Sequence, residues 1–302
     1  NGVTPAMFTA LAVVANPGEV IAADTFSSHT LAPAAQHLHV GLKGVEGDER
    51  GMIPEALIEA ARESPGQMKA VFLLPGGAGP QARIMDRERR EALARAAEEV
   101  GLAILECDPL GPLAAKRPPP IASLAPGRTF YFTGMSKSLA PGVRLGVLAI
   151  PEDQVELTVN RHQSVSWMAT PLVAEIASDW LENGTADRLL LAHRAELSAR
   201  NRMAQRLLGL GCLGNLHGLH RWMPLSEGTD EGAVIRRLLE EGVAVAPGSG
   251  FSISDTRPAI RICLGATGRR DLEQGLIKIA SILPPAPPDR RGKVREARAE
   301  LS

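Results

Sequence analysis

The first half of the chain alternates short apolar runs with segments in which apolar residues recur every three to four positions. Unbroken apolar runs are typical of buried strands, and a period near 3.6 is typical of helices. We predict helices at 1–15, 53–64 and 86–101, and the first begins near Thr4, where Thr can cap and the following Pro suits a first turn. The predicted strands are 19–24, 38–45, 69–75, 102–106, 129–133 and 144–150. Strands separated by helices indicate a mainly parallel sheet, which binds ligands at the carboxyl ends of its strands.

After Pro151 the pattern changes to a long helical stretch at 171–208, which we expect to break near Gly184. Beyond it, the pattern predicts strands at 218–225, 243–247 and 259–265, with helices at 229–241 and 269–282. These elements indicate a smaller α+β domain. The last segment, 284–302, is rich in proline and then charged, which favours a linker followed by a solvated helix. We therefore predict a large domain at 1–150, a helical stretch with a small C-terminal domain at 151–283, and a tail at 284–302.

Composition narrows the class of protein. The net charge of −1 comes without a basic block in the body, which argues against nucleic-acid binding by this chain alone. Three widely spaced cysteines favour reduced thiols and a cytoplasmic protein. No apolar run reaches membrane-spanning length, so we expect no membrane partner. Since the chain does not begin with Met, we expect a fragment truncated at its N-terminus.

The segment "TGMSKSLAPGVRLG" (133–146) places Lys137 among small residues, seven positions before Arg144. A lysine amine is a good nucleophile near neutral pH only where desolvation or nearby cations favour its neutral form. The small neighbours would let a planar ligand approach the backbone, and an arginine can hold a phosphate with two hydrogen bonds. The alternative is an ordinary loop lysine in solvent.

Eight segments in order resemble fold type I pyridoxal-phosphate (PLP) aminotransferases, most closely the aminotransferase-like domain of MocR-type regulators in the GntR superfamily. They are "NGVTPAM", "DERGMIPEAL", "VFLLPGGAGP", "AILECDPLGPL", "SKSLAPGVRLG", "SVSWMATPLVAEIA", "GVAVAPGSGF" and "AIRICLGA". The resemblance covers roughly residues 1–283. It implies an α/β fold of the PLP-dependent transferase type I, with a mainly parallel large-domain sheet and a smaller α+β C-terminal domain. It also implies PLP as cofactor and a homodimer.

The resemblance assigns roles to five residues. Lys137 matches the Schiff-base lysine, and Arg144 matches the arginine that binds the cofactor phosphate. Val3 and Thr4 match the pair that opens a helix whose N–H groups receive the phosphate. Arg261 matches the arginine that holds the substrate α-carboxylate, although an arginine at a strand end also suits a surface ion pair.

Several positions depart from the family pattern. Cys107 stands where most members have an aspartate beneath the pyridine nitrogen, and Leu110 stands where they have a tyrosine. Asp108 could replace the missing charge only if the strand bulges, because successive strand residues face opposite sides. In three more places an expected partner is missing: Gly79 replaces asparagine, Gly134 replaces serine, and Ser28 replaces the stacking aromatic. Each lost hydrogen bond is worth about 0.5–1.5 kcal/mol, so the resemblance predicts weakened cofactor binding.

Other candidates have simpler alternatives. Phe26 or His29 could stack on the cofactor if the loop shifts, but a packing or loop role is the favoured interpretation for either. Trp167 fits the pocket entrance or a domain interface. His217 and His220 lack a third ligand at metal spacing, so we predict no metal site.

Two functions therefore remain open. The first is a PLP-dependent aminotransferase that moves an amino group between an α-amino acid and a 2-oxo acid through a Lys137 Schiff base. The second is a catalytically impaired, effector-sensing domain of a MocR-type transcription regulator, whose DNA-binding domain would lie upstream of Asn1. Lys137, Arg144 and Arg261 favour the first function, and the lost partners favour the second.

Overall fold

The computed structural model describes residues 1–255 and 257–283, which form two compact units. Unit 1 comprises Asn1–Ala195 and Phe251–Asp255. Unit 2 comprises Glu196–Gly250 and the described residues from 257 onward. The predicted tail at 284–302 lies outside the described residues, and the predicted domain boundaries stay predictions.

Unit 1 alternates strands and helices. Its strands are β1 (Val20–Asp24), β2 (Gly41–Val45), β3 (Gly47–Asp48), β4 (Gly51–Met52), β5 (Met68–Leu73), β6 (Ala103–Cys107), β7 (Thr129–Gly134) and β8 (Gly146–Ala149). Its helices are α1 (Val3–Val14), α2 (Leu31–His37), α3 (Pro54–Arg62), α4 (Arg87–Glu99), α5 (Ile121–Leu124), α6 (Val155–Ser166) and α7 (Pro171–Glu182). Helix α8 (Thr185–Leu208) begins in unit 1 and ends in unit 2.

Six strands of unit 1 form a sheet in the order β2-β1-β5-β6-β7-β8. All neighbouring pairs are parallel except β7 and β8, which are antiparallel. The chain places β2 on one side of β1 and β5 on the other, so the strand order reverses between β1 and β5. Ligands of such sheets bind beyond the carboxyl ends of the strands, at this reversal. We therefore expect a ligand site at the loops after β1, β5, β6 and β7.

Both faces of this sheet are covered. On one face α1 buries Met7 and Leu11 against β6 and β7, where Leu105 and Phe132 are fully buried. On the other face α3 and α4 pack against the alternate residues of the same strands. Helix α4 is amphipathic and begins at an N-cap, Asp86, whose side chain accepts a hydrogen bond from the backbone N–H of Arg89 at 2.8 Å.

Unit 2 is a small α+β unit. Strands β9 (His220–Pro224), β10 (Ala246–Pro247) and β11 (Ala259–Cys263) form an antiparallel sheet in the order β10-β11-β9. The end of α8, α9 (Glu231–Glu240) and α10 (Arg269–Ile282) pack on it. This agrees with the smaller α+β part expected from the pattern.

The predicted helices and strands are present with shifted ends, and five elements were not predicted: α2, α5, α6 and the short strands β3 and β4. The break near Gly184 is confirmed, since α7 ends at Glu182, α8 begins at Thr185 and Gly184 has a φ of 75°. Helix α2 was not predicted because seven residues are too few to show a 3.6 period. Helix α6 was not predicted because apolar residues also occupy its exposed side, which hides the amphipathic pattern. Among residues 1–255 and 257–283, no helix combines the length and apolar character needed to cross a membrane.

Candidate active site

Lys137 lies in a tight turn directly after β7. The backbone N–H of Leu139 donates to the carbonyl of Met135 at 2.8 Å, which closes the turn. Lys137 itself is exposed and makes no hydrogen bond or ion pair with any described residue. Its amine is therefore presented to solvent at the carboxyl end of the sheet.

Arg144 lies beside the same turn and has a left-handed backbone with a φ of 47°. Its Nη1 donates to Ser136 Oγ at 3.4 Å. A non-glycine residue rarely adopts this conformation, so the local fold holds Arg144 in place. Lys137 and Arg144 thus belong to one short connection between β7 and β8, as the sequence predicts.

The first turn of α1 packs against this connection. Gly2 precedes the helix with a φ of 93°, and a Cβ added there would lie 3.5 Å from Arg144 Nη2. Gly146, on β8, approaches the backbone of Gly2 so closely that a Cβ on Gly146 would lie 2.7 Å from its carbonyl carbon. Val3 and Thr4 are the first helical residues, with Thr4 exposed. The positive end of α1, the Arg144 guanidinium and the lysine turn therefore come together, an arrangement that suits an anion.

Cys107 ends β6 on the face that α1 covers. Its side chain is 5% exposed and packs within the apolar cluster that contains Met7 and Phe132. Burial raises the pKa of the Cys107 thiol, and the neighbouring carboxyls of Asp108 and Glu106 raise it further. Cys107 is therefore a neutral group in apolar surroundings.

Asp108 has different neighbours. Its Oδ2 accepts a hydrogen bond from Arg117 Nη1 at 2.8 Å, and its carboxylate fills the space beside Gly76 and Gly111. Thr133 Oγ1 donates to the backbone carbonyl of Asp108 at 2.9 Å. Burial raises the pKa of Asp108, and Arg117 opposes the rise. Strand β6 shows no bulge in its pairing with β5 or β7 and ends at Cys107, so Asp108 is the first residue after the strand.

The sequence prediction missed two acids with raised pKa values near this edge of the sheet, Glu106 and the half-buried Asp24. Glu106 is fully buried and accepts hydrogen bonds from the N–H groups of Ile121 and Ala122 at 3.0 and 2.9 Å. Burial raises its pKa to about 7, although Arg90 lies 3.7 Å away. Asp24 ends β1, and desolvation raises its pKa to about 7 as well, although the positive charge of Arg83 lowers it. The sequence feature that could have identified both acids is an acidic residue inside an otherwise apolar run, or at its end.

The remaining departures from the family pattern surround the same edge. Ser28 Oγ shares a hydrogen bond with Thr30 Oγ1 at 2.8 Å. Leu110 is buried. Gly79 lines a small cavity with Asp24, and a Cβ added at Gly79 would meet only Leu74, at 3.7 Å.

The alternative aromatic candidates have packing contacts. Phe26 forms a bridge with Ser252, and the His29 ring lies 5.6 Å from that of Phe251. Trp167 has a left-handed backbone and is 69% exposed. These contacts are consistent with the simpler packing explanation for Phe26 and His29.

Arg261 belongs to unit 2, on β11. It is half-buried, and its Nη2 lies 3.4 Å from His220 Nδ1. Burial lowers its pKa, which stays far above neutrality for a guanidinium. His217 donates its backbone N–H to Asn215 Oδ1 at 3.1 Å. Within the described residues, no three His, Cys, Asp or Glu side chains form a group that could hold a metal.

A comparison with known protein families identifies the family of this chain. The sequence pattern described as "Aminotransferase class I and II" matches residues 1–279. The chain belongs to this family.

Two kinds of relative match this aminotransferase-family chain. YdeF of Bacillus subtilis, an HTH-type transcriptional regulator, is 29% identical over 94% of this chain and 62% of its own length. Aromatic-amino-acid aminotransferase 1 of Thermococcus litoralis is 24% identical over 90% of this chain and 68% of its own length. This chain therefore spans about three fifths of the regulator it matches.

Solved structures confirm the predicted fold class. Kynurenine aminotransferase of Pyrococcus horikoshii has a TM-score of 0.86 with 22% identity, covering 93% of this chain and 73% of its own. An archaeal alanine:glyoxylate aminotransferase has a TM-score of 0.85 with 24% identity and the same coverages. The chain thus has the α/β fold of the PLP-dependent transferases, with a mainly parallel central sheet.

Proposed function

We propose that this chain is a PLP-binding, amino-acid-responsive domain of a transcription regulator, in which amino transfer is slow. The relatives support the regulatory part, since HTH-type regulators such as YdeF and TauR of Rhodobacter capsulatus match most of the chain. Amino-acid aminotransferases among the relatives support an amino acid as the ligand. DNA contact would belong to a region outside this chain.

One end of the site fits PLP. The first amides of α1, the Arg144 guanidinium and the Ser136 hydroxyl are donors or cations, which suits a phosphate dianion. Lys137 stands in the same turn with an exposed amine. We assign the phosphate to Val3, Thr4 and Arg144, and the bond to the cofactor aldehyde to Lys137.

The other end does not fit an activated cofactor, and this observation carries the proposal. PLP, when bound, supplies an electron sink whose strength depends on a protonated pyridine nitrogen. A carboxylate beneath that nitrogen keeps the proton there. Here the corresponding Cys107 is buried and neutral. Asp108 does not take over, because its carboxylate is paired with Arg117.

The roles of the chain's own residues follow from these contacts. Arg144 and the α1 amides hold a phosphate, and Lys137 Nζ takes a proton from the amino acid or returns it. The family resemblance assigns Arg261 to the amino acid's carboxylate. Because the neutral Cys107 thiol supplies no negative charge to keep the cofactor nitrogen protonated, removal of the α-proton is slow, and the amino acid acts as a signal while it remains unconverted.

A fully active aminotransferase is the second candidate. The observation that favours it is the shared placement of Lys137, Arg144 and the start of α1, which a domain without PLP chemistry would not need. Its substrates would be an α-amino acid and a 2-oxo acid.

We also propose a homodimer. Helices α6 and α7 and the residues between them expose large apolar side chains, among them Trp167 at 69% and Leu172 at 70%. Exposed apolar patches of this kind mark interaction surfaces. A second copy of the chain is the partner that the family resemblance implies.

Two measurements test the function. Purified protein is titrated with PLP, reduced with borohydride and digested, and mass spectrometry should find the cofactor on Lys137 and on no other lysine. Lys137→Ala is the matched control and should carry none. Absence of labelling, or equal labelling in the control, would refute PLP binding at this lysine.

Single-turnover mixing with a panel of amino acids then separates the two candidates. We expect saturable spectral changes with a subset of amino acids, but conversion to the pyridoxamine form at least a hundredfold slower than in Cys107→Asp. Conversion of the wild type as fast as that variant would favour the active enzyme.

A further inference from the structure

The lysine turn and the start of α1 meet at Gly134. This residue ends β7, is buried, and pairs with Gly146 across the antiparallel β7–β8 hairpin. A Cβ on Gly134 would lie 2.7 Å from Val3 Cγ2 and 3.2 Å from the carbonyl oxygen of Leu145. The first distance is shorter than real Cβ contacts, so no side chain fits at 134 while Val3 keeps its position.

Val3 has little freedom to move away. Its side chain is branched at Cβ, which restricts χ1. The backbone just before it is fixed by the close approach of Gly2 to Gly146. The backbone of Gly134 is not left-handed, so only the contact with neighbouring atoms forbids a side chain there.

The position that Val3 blocks is next to the anion-binding amides. A Cβ on Gly134 would lie 3.8 Å from the backbone nitrogen of Val3, the first amide of α1. A hydroxyl carried at 134 would therefore lie beside the donors that we assign to the phosphate. Val3 puts a methyl group there instead.

We propose that Val3 and Gly134 are a matched packing pair: the Val3 side chain occupies the space that a side chain at 134 would need, so the phosphate is held by backbone amides and Arg144 without a hydroxyl from position 134. This inference rests on the proposed function. Val3 thus has a role through its side chain in addition to the role of its amide.

A double-mutant cycle tests the packing without any cofactor. Wild type, Val3→Ala, Gly134→Ser and the double variant are melted in phosphate-free buffer. Gly134→Ser should lower the Tm by about 4 °C or more, and in the Val3→Ala background by less than half as much. Equal losses in both backgrounds overturn the proposal. If Gly134→Ser does not fold alone, folding of the double variant supports the proposal and its failure to fold overturns it.

Two glycine variants are matched controls. Gly146→Ala meets the backbone of Gly2, not the side chain of Val3, so Val3→Ala should not rescue it. Gly142→Ser has no atom within 4 Å of its Cβ and should leave the Tm nearly unchanged. Rescue of Gly146→Ala by Val3→Ala would show a general loosening and overturn the proposal.

Binding of inorganic phosphate and of PLP is then measured by calorimetry on the same four proteins. The double variant should bind inorganic phosphate about tenfold more tightly than Val3→Ala, as expected for one added hydrogen bond to an anion. No gain overturns the proposal. A gain for inorganic phosphate without binding of PLP by any of the four proteins refutes the proposed function and leaves the role of Val3 standing.

Discussion

Replacing Glu106 with glutamine removes a buried acid whose protonation is linked to folding. Glu106 has no exposed surface, and its carboxylate is held by two backbone N–H groups at the start of α5. Burial raises its pKa from 4.5 to about 7 in the folded protein. Burial outweighs the two N–H groups and Arg90, which lower this pKa, and the carboxyl of Asp108 raises it further.

The direction of the pH effect follows from linkage. Between these two pKa values the folded protein keeps the Glu106 proton and the unfolded chain releases it. The stabilisation is therefore complete below about pH 4.5 and is lost as the pH rises through about 7. The pKa difference corresponds to about 3 kcal/mol, of which about 2.5 kcal/mol is lost between about pH 5 and pH 8.

The assay is urea unfolding of wild type and Glu106→Gln across that pH range. The free energy of unfolding of wild type should fall relative to the variant by about 2.5 kcal/mol from the acidic to the alkaline end. Glu156→Gln, at an exposed position on α6, controls for the buffers. A wild-type-minus-variant difference that is constant, or that grows with pH, would refute the argument from burial.

Asp108→Asn should lower the free energy of unfolding by about 2 kcal/mol, because it leaves the Arg117 guanidinium beside an uncharged group. Arg117→Lys keeps the positive charge, so in the same urea titration its free energy of unfolding should fall by less. Leu172→Asp should convert a dimer to a monomer in light scattering, whereas Leu210→Asp, also at an exposed leucine but in unit 2, should not. A dimer that survives both substitutions would place the interface elsewhere. Arg144→Ala should weaken phosphate and PLP binding about tenfold in equilibrium dialysis, and unchanged binding would remove Arg144 from the site.

Much of the fold could be predicted because patterns of apolar residues within short segments determine where the strands and helices form. Apolar runs and the 3.6 period located the parallel strands and the helices α3 and α4, since burial of one face is decided by neighbouring residues. Helix α2 was not predicted because it is too short to show a period, and α6 was not predicted because its exposed side is apolar. Strand β8 was located, but its antiparallel pairing with β7 was not predicted, because a four-residue pattern does not show the direction of pairing.

Some features of the candidate site could likewise be predicted from the sequence. Lys137 and Arg144 lie in one continuous segment, so their spacing alone predicted that they share a turn. The alternation of a regular strand also predicted that Cys107 and Asp108 face different sides.

Only the tertiary structure decided what those side chains meet. Asp108 is held by Arg117, nine positions away, and Glu106 is enclosed by α5 and α4. Val3 and Gly134 are far apart in sequence, and their contact exists because α1 crosses the end of β7. Such contacts arise when distant segments pack together, so their distances and the resulting pKa shifts cannot be obtained from residue order alone.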